Sequence, residues 1–168
     1  MKYTSAEANR LLKKLADDRK ILLSEEENSS TFKASVGENP DDVRPDYNYL
    51  QTQATINQID EKVRKIKHAI NLSNINTVLP NAGITVDVAL ILMPQLKGMK
   101  NKLSIMQSRL KKQRADDRYS SSPIIDYEYA NYDINIVKQD YNKVSKQLSD
   151  LQLELDSVNN SVLIDIDI

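Results

Sequence analysis

The stretch INIVKQDYNKVSKQLSDLQLELDSV, Ile134 to Val158, decides the fold. Its apolar residues fall at Ile134, Val137, Tyr141, Val144, Leu148, Leu151, Leu155 and Val158, alternately three and four apart. Lys, Gln, Asp, Asn and Ser take most of the positions between. On a helix this is one continuous apolar seam, suited to packing against neighbouring helices rather than to burial on all sides. About 25 residues at roughly 1.5 Å each make a rod of about 37 Å, so partner rods of similar length are required.

The rest of the chain supplies them. Thr4-Ser5-Ala6-Glu7 is a capping box, and the helix it opens carries Ala8, Leu11, Leu12, Leu15, Leu22 and Leu23. A second seam runs Tyr49, Thr52, Ile56, Ile59, Val63, Ile66, Ile70, with Asp46 after Pro45 as its expected cap. A third runs Ala89, Leu92, Leu96, Met99, Leu103, Met106, Leu110, capped by Thr85 and interrupted by Pro94, where a kink is expected. Asn131 or Asp133 caps the fourth. The predicted helices span about 5–27, 47–73, 86–114 and 133–158.

Short β-favouring runs lie between and after them, at about 31–36, 76–79, 124–131 and 161–168. Pro80-Asn81-Ala82-Gly83 reads as the turn of a small hairpin, and the tail from Val162 to Ile168 alternates as a strand does. The expectation is a mainly α protein, one domain over 1–168. It is an up-down-up-down four-helix antiparallel bundle or coiled coil with small β-elements at its two ends. The 31–36 and 124–131 runs fall at one end, the 76–85 hairpin and the terminal strand at the other. The runner-up is a pair of helical hairpins whose seams another subunit completes.

Composition narrows function. With no cysteine, disulfides, thiolate metal sites and cysteine nucleophiles are excluded. With one histidine, His68, a histidine-rich metal site within one chain is excluded too. A net charge of −1 recruits neither nucleic acid nor anionic lipid globally. The start has no apolar leader, and the longest apolar run, Val88 to Met93, is far below the roughly 20 residues of a membrane span. A cytoplasmic protein is expected, with no cofactor and no metal.

Three constellations carry chemistry. Lys97 to Arg118 holds eight cations against Asp116 and Asp117, which suits phosphate tracking. A helix C-terminal half favours cations anyway, and Asp150 to Ile168 carries acids without bases, so nucleic acid is not expected. Asp126, Glu128, Asp133, Asp165 and Asp167 have oxygen donors but no calcium-loop spacing, and read as solvated strand faces. Arg44, Asp46, Tyr47, Arg114, Arg118, Tyr119, Asp126, Tyr127 and Tyr129 fall at one predicted end. They are the candidate ligand or partner contacts, with a structural ion-pair network as the plainer reading.

The run from Ile70-Asn71 through Asn74 and Thr77 to Gly83-Ile84-Thr85 and Ala89-Leu90, with Arg114-Ala115-Asp116-Asp117-Arg118-Tyr119-Ser120, resembles a family of small bacterial helical proteins often labelled septicolysin. The likeness is best from about residue 47 onward. The chain departs from it in the Ser122 to Asp133 block and at Pro94. The resemblance implies a helical fold and, by the family's label, a membrane-active, pore-forming protein; it carries over no catalytic residue. The residues themselves favour a non-enzymatic protein acting by self-association, as a homo-oligomer, or through a protein partner. An enzyme or ligand binder at the Arg44/Arg114/Arg118 end is a further alternative.

Overall fold

The computed structural model describes residues 1–115 and 126–168. Its elements run β1 (Lys2–Thr4), α1 (Ser5–Ser29), α2 (Pro40–Val43), α3 (Tyr49–Asn76), α4 (Val86–Gln107), β2 (Lys112–Arg114), β3 (Tyr127–Tyr129), α5 (Ile134–Ser161) and β4 (Leu163–Asp165). The protein is mainly helical, with two small antiparallel strand pairs among the described residues. Length alone suggests one domain; the described residues gather into two compact units, 1–76 with 158–168, and 77–157.

Unit 1 is built on α1 and α3. The Thr4 hydroxyl accepts the Glu7 amide while the Glu7 carboxylate reaches back to the Thr4 N–H, so the capping box forms as read. Those contacts and nearby Arg10 hold the Glu7 carboxyl below its usual range. Arg19 pairs with Asp60 at 2.8 Å and Gln53 donates to Glu26, so α1 and α3 run antiparallel. Ala8, Leu15 and Ile66 meet Ile164 and Ile166 in the core, with Leu11, Leu12, Ile59, Val63 and Ile70 packed around them. β4 closes this core by pairing with β1, Tyr3 opposite Ile164.

Unit 2 is a second antiparallel helical hairpin, α4 against α5. Lys100 sits over the Tyr141 ring, and the Tyr132 hydroxyl donates to the Met106 carbonyl. All eight predicted seam positions of α5 are buried or half-buried. At the hairpin between Thr77 and Thr85, Val78 bridges Thr85 and the Leu79 amide bonds the Ile84 carbonyl. Gly83 takes φ +65°, a left-handed turn that side chains resist. The Glu154 carboxylate accepts the Asn81 and Ala82 amides and ties this turn to α5.

Several expectations need correction. The 31–36 run is not a strand; it has no partner ladder, and Val36 is fully exposed. Its expected neighbour, β3, pairs instead with β2, and the terminal strand pairs with β1 rather than with the Val78/Ile84 hairpin. The third helix stops at Gln107, not near 114: Ser108 caps it, its hydroxyl donating to the Ile105 carbonyl, and 112–114 turn to strand. Met99 and Leu110, read as seam residues, are exposed. Asn48, not Asp46, caps α3, accepting the Gln51 amide, because the helix begins only at Tyr49. As read, α4 holds Pro94 within it. Of the fourth helix's two candidate caps, Asp133 serves, accepting the Asn135 amide.

Candidate functional site

The predicted site residues divide between the units. Arg44, Asp46 and Tyr47 belong to unit 1; Arg114, Asp126, Tyr127 and Tyr129 belong to unit 2. Arg118 and Tyr119 lie outside the described residues, as do Asp116, Asp117, Ile124 and Ile125.

In unit 1, Arg44 pairs with Asp41 one turn away at 2.9 Å and lies over the Phe32 ring. Asp46 is exposed. Tyr47 donates its hydroxyl to Glu26 at 2.5 Å, on the carboxylate oxygen that also accepts Gln53. That hydrogen bond, then some burial and the Glu26 charge, push the Tyr47 phenol up to about 12. The folded value lies above the ordinary one near 10, so this stabilisation is complete below about pH 10 and is lost between about pH 10 and 12. Alkaline titration followed by phenolate absorbance is expected to include a phenol ionising near pH 12 that Tyr47→Phe lacks. Loss of absorbance near pH 10 rather than near pH 12 in Y47F would remove the Glu26 contact.

In unit 2, β2 and β3 form a ribbon with Lys112 opposite Tyr129, Gln113 opposite Glu128 and Arg114 opposite Tyr127. Strand alternation puts Lys112, Arg114 and both phenols on one face. The Lys112 ammonium lies 4.1 Å from the Tyr127 ring centroid and 5.4 Å from that of Tyr129, a double cation–π contact. On the other face Glu128 accepts Arg109 at 2.8 Å and Gln113 at 2.6 Å. Ala115 donates its amide to the Asp126 carbonyl, so Asp126 contributes backbone here. Local pairs of this kind serve the ribbon's own stability.

Sequence reading placed Lys112 and Arg109 on a basic helix face and missed them as partners of Tyr127, Tyr129 and Glu128. The signal was present in the alternation of Tyr127, Glu128 and Tyr129, which demands a partner strand of alternating character. Lys112-Gln113-Arg114 answers it. The basic run is thereby split: Lys97, Lys100 and Lys102 ride on α4, while Lys112 and Arg114 are on the ribbon.

Two grooves flank the α4–α5 contact. One, of about 620 Å³, lies beside the Asn81–Ala82 turn and is lined by Leu92, Lys146, Asp150 and Glu154, with Lys146 paired to Asp150. The other, of about 780 Å³, runs along Met93, Pro94, Lys97, Leu148 and Leu153. Among the described residues no three His, Asp or Glu side chains converge as a metal site. His68 is exposed on α3. No helix there is long and apolar enough to cross a membrane.

The apolar start of α4 is covered on one side only. Val86 and Ala89 are buried, but Val88, Leu90 and Ile91 are exposed, as is Ile105 further along. A helix that is apolar all round buries only the side its partner reaches.

No protein-family model and no curated protein matches this chain. Its structure is similar to a crystal structure of a functionally unknown conserved protein from Corynebacterium diphtheriae. The TM-score is 0.67 and the identity 17%, over 98% of this chain and 100% of the other. At that identity the likeness is one of fold.

Proposed function

We propose that this is a non-catalytic cytoplasmic protein that works by laying a helix face against another protein, in the first place a second copy of itself. One observation carries the reading: Val88, Leu90, Ile91, Met99 and Ile105 stand exposed along a single helix, α4. Isolated surface aliphatics are ordinary; five on one rod are the composition of a contact surface. A four-helix antiparallel bundle is part of the same proposal, supported by long helices of 25, 28, 22 and 28 residues.

Sedimentation across a wide concentration range tests it. The expected mass exceeds one chain and rises with concentration. A single-chain mass throughout would leave only the contact with a different protein.

A further inference from the structure

We infer that the groove along Met93, Pro94 and Leu148 takes a free single-chain amphiphile with an anionic head, of the alkyl carboxylate class. The inference goes beyond the self-association reading and does not depend on it.

The groove lies within unit 2, with α4 from Met93 to Asn101 as one wall and α5 from Ser145 to Leu153 as the other. Eight steps of about 1.5 Å along each wall make it roughly 12 Å long. Its volume of about 780 Å³ falls in the range of small-molecule sites, about 300–1,000 Å³. The antiparallel helices sort its lining by end. Lys100 lies over the ring of Tyr141, one turn before Ser145, so Lys100 and Asn101 share an end with Ser145. Met93 and Pro94 then share the other end with Leu153, which is 68% exposed. Gln152, the polar side chain at that apolar end, donates to Asp156 at 2.9 Å.

Charge selects the head group. Lys97 and Lys100 line this groove and no acid does. In the groove beside the Asn81–Ala82 turn, by contrast, Lys143 and Lys146 are matched by Asp150 and Glu154. Neither Lys97 nor Lys100 is in an ion pair among the described residues. An anion at the Lys100 end therefore meets positive charge that nothing in the groove neutralises.

The same end holds Ser145 Oγ, the one buried side-chain nitrogen or oxygen without a hydrogen-bond partner among the described residues. Buried hydroxyls are nearly always paired. Rotation about Cα–Cβ moves this one between staggered positions, and a carboxylate in the groove that Ser145 lines supplies an acceptor. The alkyl tail then covers Met93, Leu148 and Leu153, taking apolar surface out of water. The occupant is a free molecule rather than a bilayer. The site is a slot between two helices, and a net charge of −1 gives the chain no general pull towards anionic lipid.

Calorimetric titration with decanoate below its micellar concentration tests this. Saturable uptake of one decanoate per chain is expected. Decyltrimethylammonium, with the same tail and the opposite charge, should bind at least about tenfold more weakly, and acetate should not saturate. Lys97→Glu combined with Lys100→Glu should weaken decanoate about tenfold or more, while Lys102→Glu, an exposed charge on the same helix outside the groove, should stay within about twofold. Leu153→Asp, at an exposed position, should weaken it at the tail end with helix content unchanged.

Absence of saturable decanoate uptake overturns the proposal. So does equal affinity for the two amphiphiles, or an equal loss from Lys102→Glu. Co-sedimentation with phosphatidylglycerol vesicles that the Lys97/Lys100 change abolishes would replace the free amphiphile by a membrane surface.

Discussion

Replacing Ile66 by alanine is expected to destabilise the protein by about 2–5 kcal/mol, the cost of truncating a fully buried aliphatic. Ile66 is 0% exposed and lies among Ala8, Leu15, Ile164 and Ile166. Few neighbours can close the resulting hole. Ala8 is already minimal, and Ile164 is held by the β1–β4 ladder through its pairing with Tyr3. A cavity that cannot collapse puts the cost in the upper part of that range. The matched control is Ile75→Ala in the same helix: Ile75 is 56% exposed, so a change within about 0.5 kcal/mol is expected. Urea unfolding followed by circular dichroism measures both. For a chain of this length each kcal/mol moves the melting temperature by roughly 2–4 °C, so the two variants should separate clearly. Equal effects at 66 and 75 would mean that the α1–α3 seam is not where the structure puts it.

The seams were legible because periodicity is a local signal. In α5 eight apolar residues at three-four spacing outweigh any single exception, and every one is buried or half-buried. In α3 the same reading placed Ile56 and Ile66 in the core and erred only at Tyr49, which the late start at Asn48 leaves exposed in the first turn. The misreadings share one cause, partners remote in sequence. Leu110 continues the α4 spacing perfectly well, yet the helix stops before it, and Gln113 pairs with Glu128. β1 is three residues long, too short to alternate visibly, and its partner β4 is at the other end of the sequence. Conversely, Thr31 to Val36 has β-favouring residues but no partner, and stays irregular. The candidate site suffered in the same way. Tyr127 and Tyr129 fall in a run read as β, while the lysine between their rings falls in one read as helix. The Tyr47 partner, Glu26, lies 21 residues back and had no motif to announce it.

The β4 tail supplies the sharpest contrast between neighbouring residues. Leu163 and Asp165 face outward, while Ile164 and Ile166 are buried, Ile166 only 1% exposed. The Ile166 amide bonds the Met1 carbonyl at 2.8 Å, which extends the β1–β4 ladder and holds that side chain over α1 and α3. Strand register decides the whole arrangement, because a shift of one residue would exchange the two faces. Ile166→Asp places a carboxylate in an aliphatic cluster with no cation among its members, and a buried, unpaired charge of this kind costs about 3–5 kcal/mol. Leu163→Asp, at a position 58% exposed, is expected to cost well under about 1 kcal/mol. Protonation distinguishes burial of charge from a general defect. Burial raises the introduced carboxyl's folded pKa above its unfolded value, so the folded form is favoured by the proton it keeps. The deficit of Ile166→Asp relative to wild type should therefore shrink on acidification from pH 7 towards pH 4, while Leu163→Asp shows no such recovery. Denaturation midpoints at the two pH values measure this. A pH-independent deficit at 166, or an equal loss at 163, would show that the last strand does not seal the α1–α3 core with the face described.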